Sequence, residues 1–252
     1  MTQSADKATS TENLILGGRV RLKQAKLGYR VGMDAALLAA ACDAAPATRV
    51  LEAGCGVGGA LLAAAARRPE ARFVGVERDL AALGLVQENI ALNQLEDRVE
   101  ARLGDVASGF KSLGLPPFDA AMANPPFFDD ASALRGPRPE RRDAYIADVG
   151  FAVWAAFLLK SVREGGAITV IHRADRLADM LAALAFKAGS FRIRPIHPFA
   201  DEPAKRVLIR ATKTGKAPLV LLPPLVMHER GGAKHTAEAE AILYGEADLG
   251  WD

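Results

Sequence analysis

The chain has little of what builds disulfide scaffolds, metal centres or membrane spans. Its 252 residues include only two cysteines, Cys42 and Cys55, and four histidines, His172, His197, His228 and His235. Two cysteines cannot staple a fold, so they read as reduced thiols and imply a cytoplasmic setting. No Cys/His group has metal-ligand spacing, so no metal is expected. The histidines are scattered, and each reads as structural or solvated. No apolar run reaches the length of a membrane helix, which excludes a membrane partner. Met1 to Asn13 is polar and lacks the apolar core of a signal peptide; we expect a disordered tail over 1–13. An excess of one charge is also missing, because 32 Lys and Arg face 30 Asp and Glu. Half the residues are hydrophobic and 25% are charged, as in an ordinary globular domain. The length suits one α/β domain over 46–252, preceded by a lid and helix over 14–45.

The small net charge is unevenly placed. Arg19 to Arg30 holds five basic residues (Arg19, Arg21, Lys23, Lys26, Arg30) and no acid, and Arg135, Arg138, Arg141 and Arg142 face Glu140 alone. Basic patches flanking a site suggest phosphate contacts. The second patch lies in a long polar stretch, 128–146, of the kind that is functional or disordered in compact domains.

Three strand-like runs end in chemistry. Arg49-Val-Leu-Glu-Ala enters the glycine-rich turn Gly54-Cys-Gly56-Val-Gly58-Gly59, followed by a helical stretch. Glycines there admit a cofactor close to the backbone, and the helix N-terminus favours an anionic group. Cys55 reads as a small apolar filler rather than a nucleophile. Arg72 to Glu77 is a second strand whose terminal acid follows Gly54 by 23 residues, near the spacing that serves a ribose diol. Val99 to Asp105 is a third strand with a terminal acid. These units match a nicotinamide-binding domain almost as well.

Asn124-Pro125-Pro126-Phe127 breaks that tie. It closes the apolar run Phe118 to Ala123, at a strand tip where open α/β sheets bind ligands. Two prolines remove two backbone donors and stiffen the loop. What remains is an amide side chain, carbonyl acceptors and a flat ring, which suit a planar substrate bearing an NH2 group. No hydride-transfer residues follow.

These motifs resemble class I S-adenosylmethionine-dependent methyltransferases of the amino-group type. Tyr29-Arg-Val-Gly-Met-Asp34, Gln87-Glu-Asn-Ile and Arg206-Val-Leu-Ile extend the resemblance to bacterial tRNA adenine-N6 methyltransferases over roughly 14–245. Glu52 stands where many such enzymes have Asp, and Phe127 where the tRNA enzymes often have Tyr; both swaps keep the chemistry. The resemblance implies a Rossmann-like, seven-stranded, mostly parallel sheet flanked by helices, with an antiparallel closing pair. It implies S-adenosylmethionine at Asp34, Glu52, Gly54, Cys55, Gly56, Glu77, Arg78, Asp105, Val106 and Asn124. Catalysis falls to Asn124, Pro125, Pro126 and Phe127, and RNA contacts to Arg135, Arg138, Arg141, Arg142, Arg19, Arg21, Lys23 and Lys26. The partner would be tRNA, methylated on the adenine beside the anticodon. A guanine N2 in ribosomal RNA, a DNA adenine, a protein glutamine amide and a non-catalytic RNA-binding role remain alternatives. A monomer is the simplest expectation.

Overall fold

The computed structural model describes residues 10–26, 30–126 and 150–252. Its centre is a sheet whose first strands are β3 (Arg49–Ala53), β4 (Arg72–Glu77), β5 (Val99–Leu103) and β6 (Phe118–Ala123). It continues through β7 (Val162–Arg173), β8 (Ala188–His197) and β9 (Arg206–Lys213). Across the sheet the order is β8-β9-β7-β6-β3-β4-β5. All neighbours are parallel except β9, which runs antiparallel to both β7 and β8. The seven expected strands are present. The two-residue strands β10 (Val220–Leu221) and β11 (Leu225–Val226) extend the β8 edge.

The buried strands alternate their side chains between two cores. Val50, Phe73 and Met122 face one core, shared with α1 (Met33–Ala40), α2 (Gly59–Arg67), α3 (Leu80–Leu92) and α6 (Ala237–Tyr244). Leu51, Val74 and Ala121 face the other, shared with α4 (Phe151–Ser161) and α5 (Leu177–Leu184). Local chemistry sets the helix starts: Asp79 accepts the Ala82 N–H at the head of α3, and Thr236 accepts that of Ala239 at α6.

The tail prediction needs correction. Residues 10–13 are not disordered; they open β1 (Ser10–Ile15), which pairs antiparallel with β2 (Val20–Ala25). The hairpin is held by two asparagines of α3. Asn89 accepts from Lys23 N at 2.7 Å and donates to Lys23 O at 2.9 Å, while Asn93 does the same for Arg21 at 2.9 and 2.7 Å. Four residues of helix rise about 6 Å and two of strand about 6.8 Å, so successive side-chain amides meet alternate residues of the strand edge. Asn89 also donates to Val57 O at 2.9 Å and is fully buried, which ties the hairpin to the glycine turn.

Candidate active site

Because β3, β4, β5, β6, β7 and β8 all point the same way, their carboxyl ends share one edge of the sheet. The glycine turn leaves that edge. Gly54 N and Cys55 N donate to Val76 O at 2.8 and 3.0 Å, which folds the turn back over β4. Gly54 has φ 67° and packs on Trp154 of α4, whose ring would lie 2.7 Å from any Cβ placed there. Gly56 has φ 55° with open space where a side chain would stand. Cys55 is buried, and burial pushes its thiol well up, so it is filler rather than a nucleophile.

Glu77 organises this turn. Its Oε2 accepts from Gly56 N at 2.8 Å, and its Oε1 accepts from Arg78 N and Asp79 N at 2.9 and 2.8 Å. A carboxylate has about four acceptor sites. Backbone amides take three here, leaving room for one more donor. A ribose diol could therefore add one hydrogen bond to Glu77 rather than two, unless a backbone amide gives way. Arg78 contributes a backbone N–H while its side chain is exposed.

Glu52 lies behind the turn, 3% exposed. Burial, and then the charge of Glu77, push its carboxyl well above the ordinary range. Its Oε2 has no hydrogen-bond partner among the described residues. Asp105 begins the turn after β5 and accepts from Ala107 N at 2.9 Å, with Val106 buried beneath. Asp34, in the first turn of α1, pairs with Arg206 Nε at 3.0 Å. The resemblance places Asp34 at the cofactor; in the structure its carboxylate is engaged with β9.

Asn124 sits half-buried at the tip of β6, next to β3 and its glycine turn, with Pro125 buried behind it. The sequence reading missed two neighbours. His172, at the end of β7, is buried beside the Pro126 backbone and meets the Phe151 ring edge-on at 6.1 Å. Burial lowers its pKa, which favours the neutral ring. Trp154 supports Gly54. Both lie far from the motifs in sequence, and only strand register and helix packing bring them in. Phe127, Arg135, Arg138, Arg141 and Arg142 lie outside the described residues.

The first basic patch does not act as a unit. Arg19 donates to Ala66 O at 3.1 Å and Gly245 O at 2.8 Å. Ala66 lies in the last turn of α2, towards the opposite edge of the sheet, so Arg19 ties the hairpin to the body of the fold. Arg21 pairs with Glu12 and Lys23 with Glu88 along the hairpin flank. Lys26 is exposed at the end of the hairpin nearer the site.

An orphaned buried carboxyl oxygen, open space over Gly56 and the start of α2 fit a small zwitterionic cofactor. Among the described residues no group of His, Cys, Asp and Glu could hold a metal ion. Residues 29–135 match the methyltransferase small domain. A crystal structure described as a predicted O-methyltransferase from Agrobacterium tumefaciens superposes with TM-score 0.72 at 28% identity, covering 86% of this chain and 98% of that one. A Bacteroides thetaiotaomicron protein named tRNA1(Val) (adenine(37)-N6)-methyltransferase is 31% identical over 195 residues, 74% of this chain and 78% of its own. A Porphyromonas gingivalis protein of the same name is 32% identical over 200 residues, 75% of this chain and 77% of its own. With this identity and coverage, the chain belongs to the family of the tRNA1(Val) (adenine(37)-N6)-methyltransferases.

Proposed function

We propose that this protein methylates N6 of an adenine beside the anticodon of a tRNA, using S-adenosylmethionine, and that it works in the cytoplasm as a monomer. The observation that carries the reading is the Asn124-Pro125-Pro126 turn at the tip of β6, beside the Gly54–Gly58 turn on β3. Glu52, Gly54, Gly56, Glu77, Asp105 and Val106 would hold the cofactor. Glu52 gains a partner for its orphaned oxygen, and Glu77 adds one ribose hydroxyl to the backbone amides it already binds. Once bound, S-adenosylmethionine supplies an electrophilic methyl group on a sulfonium.

An exocyclic amine is a weak nucleophile because its lone pair is delocalised into the ring. Acceptors at the Asn124 side chain and the Pro125 carbonyl take its two N–H bonds and favour a pyramidal nitrogen with the lone pair directed outwards. A hydroxyl substrate would fill only one of these acceptors. The two prolines, Pro125 buried and Pro126 half-buried, keep the acceptors from relaxing, so catalysis rests on orientation and electrostatics. The base must leave its stack, and Phe127 would replace the stacking it gives up. Lys26 and the arginines of 135–142 would hold phosphates. Radiolabelled methyl transfer into separate pools of tRNA, ribosomal RNA, DNA and protein tests this reading. Label should enter tRNA and be recovered as N6-methyladenine; label confined to another pool would overturn it.

A further inference from the structure

The far side of the same edge carries a column of rings. Phe199 follows β8 directly. His228 lies 5.5 Å from it, tilted by 45°, and His235 stacks on His228 at 5.0 Å with 28° between planes. The Arg230 guanidinium covers the Phe199 end at 4.3 Å and is itself held by Asp201 and Glu202. His235 is the other end. All three rings are half exposed. Backbone bonds from Met227 N to His197 O and from His228 N to Pro198 O fasten the 227–236 loop to the end of β8. The His228 Nδ1 contact with Lys234 O at 2.6 Å fixes that ring's plane. Half-exposed imidazoles add little to a core, so packing alone does not account for a fixed column of flat faces.

Its position gives it a use. β8 runs parallel to β6, with β7 and β9 between them. Three strand spacings place the two tips roughly 14 Å apart. Arg173 ends β7 and Arg176 follows it, while Lys205 precedes β9 and Arg206, paired with Asp34, opens it, so cations line the interval. The ion pairs of Arg173 with Asp175 and Arg176 with Asp179 are surface pairs. Such pairs are weak enough for a phosphate to compete.

We propose that the Phe199–His228–His235 column is a stacking platform for an unpaired base of the substrate RNA that flanks the target adenine. The proposal rests on the RNA methylation reading above. Single-stranded RNA is held by π-faces together with cations that follow its backbone, and this edge offers both.

The test uses the full-length protein and an anticodon stem-loop RNA carrying 2-aminopurine at each loop position in turn. Binding should quench one position near the target adenine. His235→Ala should abolish that quench, weaken RNA binding about five- to a hundredfold and raise KM for tRNA. S-adenosylmethionine affinity and the salt dependence of RNA binding should not change, because stacking releases no counterions. His235→Phe, which keeps a ring, should restore the quench and KM. Wild-type methylation of tRNA with KM and quench unchanged in His235→Ala would overturn the platform alone. Failure of His235→Phe to restore binding would overturn it too. Absence of any tRNA methylation by the wild type would instead remove the function on which it rests.

Discussion

The β3–β4–β5 side of the edge is made of backbone and buried acids, and the β6–β7–β9–β8 side mostly of half-buried and exposed side chains. On the first side Glu77 binds three backbone amides, Glu52 is sealed behind the turn, and Gly54 rests on Trp154. On the second side Asn124, the ring column and the cations project from strand tips and loops. A small cofactor with a fixed shape is served by rigid, close backbone. A long polyanion is served by side chains spread over several strands, each adding a little. The contrast predicts that changes on the first side act on cofactor affinity and stability, whereas those on the second act on RNA and turnover.

The sharpest break would come at Asn124. Asn124→Ala should lower kcat by about a hundred- to a thousandfold or more, as removal of one positioned polar group does elsewhere, and leave S-adenosylmethionine affinity within about tenfold. Equal loss of cofactor affinity by calorimetry would mean that the two sides are not separate. Next in size is Glu77. Glu77→Ala removes a charged acceptor whose hydrogen bonds contribute roughly 1.5–3 kcal/mol each, so cofactor affinity should fall tenfold or more. Because Gly56, Arg78 and Asp79 lose their acceptor as well, Tm should fall with it. Loss of affinity with unchanged Tm would show that Glu77 serves the cofactor and not the turn.

A smaller effect sharpens the second side. Arg141→Ala with Arg142→Ala should weaken tRNA binding and flatten its log–log salt slope by about 0.7 for each phosphate no longer neutralised. Arg19→Ala should leave the slope unchanged, since its guanidinium binds carbonyls at the opposite edge. The smallest effect belongs to Glu52. Its folded pKa is raised above the ordinary 4.5, so the folded state holds its proton more tightly than the unfolded chain. Its contribution is then fully favourable below pH 4.5 and is lost as pH rises towards the folded value. Glu52→Gln should raise Tm of the cofactor-free protein at pH 7.5 by about 2–4 °C per kcal/mol relieved, and the gain should vanish near pH 4. A gain independent of pH, measured by scanning calorimetry, would rule out ionisation as the cause.

Much of this was legible because it is local. Gly54, Gly56, Glu77, Asp105 and Asn124 each sit within a few residues of a strand end, and strand periodicity with glycine and proline chemistry places them without any distant contact. The strand count followed for the same reason. The hairpin clamp did not, because Asn89 and Asn93 look like ordinary polar positions on a helix until β2 lies beside them. The partners of Arg19, His172 and the histidine column were not legible for a related reason. Their roles depend on partners 47 and 226 residues away for Arg19, and on neighbouring strands for the histidines.

The sequence by itself determined a parallel sheet of the right size, the glycine-rich turn after β3, and the amide and prolines at the tip of β6. Backbone conformation and hydrogen-bond capacity are properties of short segments, so short segments carry them. Tertiary structure alone decided that Glu77 has one acceptor site left to give, that Glu52 is stripped of water, and that Arg19 is tied to backbone carbonyls of Ala66 and Gly245. It also placed two histidines and a phenylalanine in one column beyond the end of β8. Desolvation, partner geometry and surface position are set by what the rest of the chain packs around a residue, and no local pattern records them.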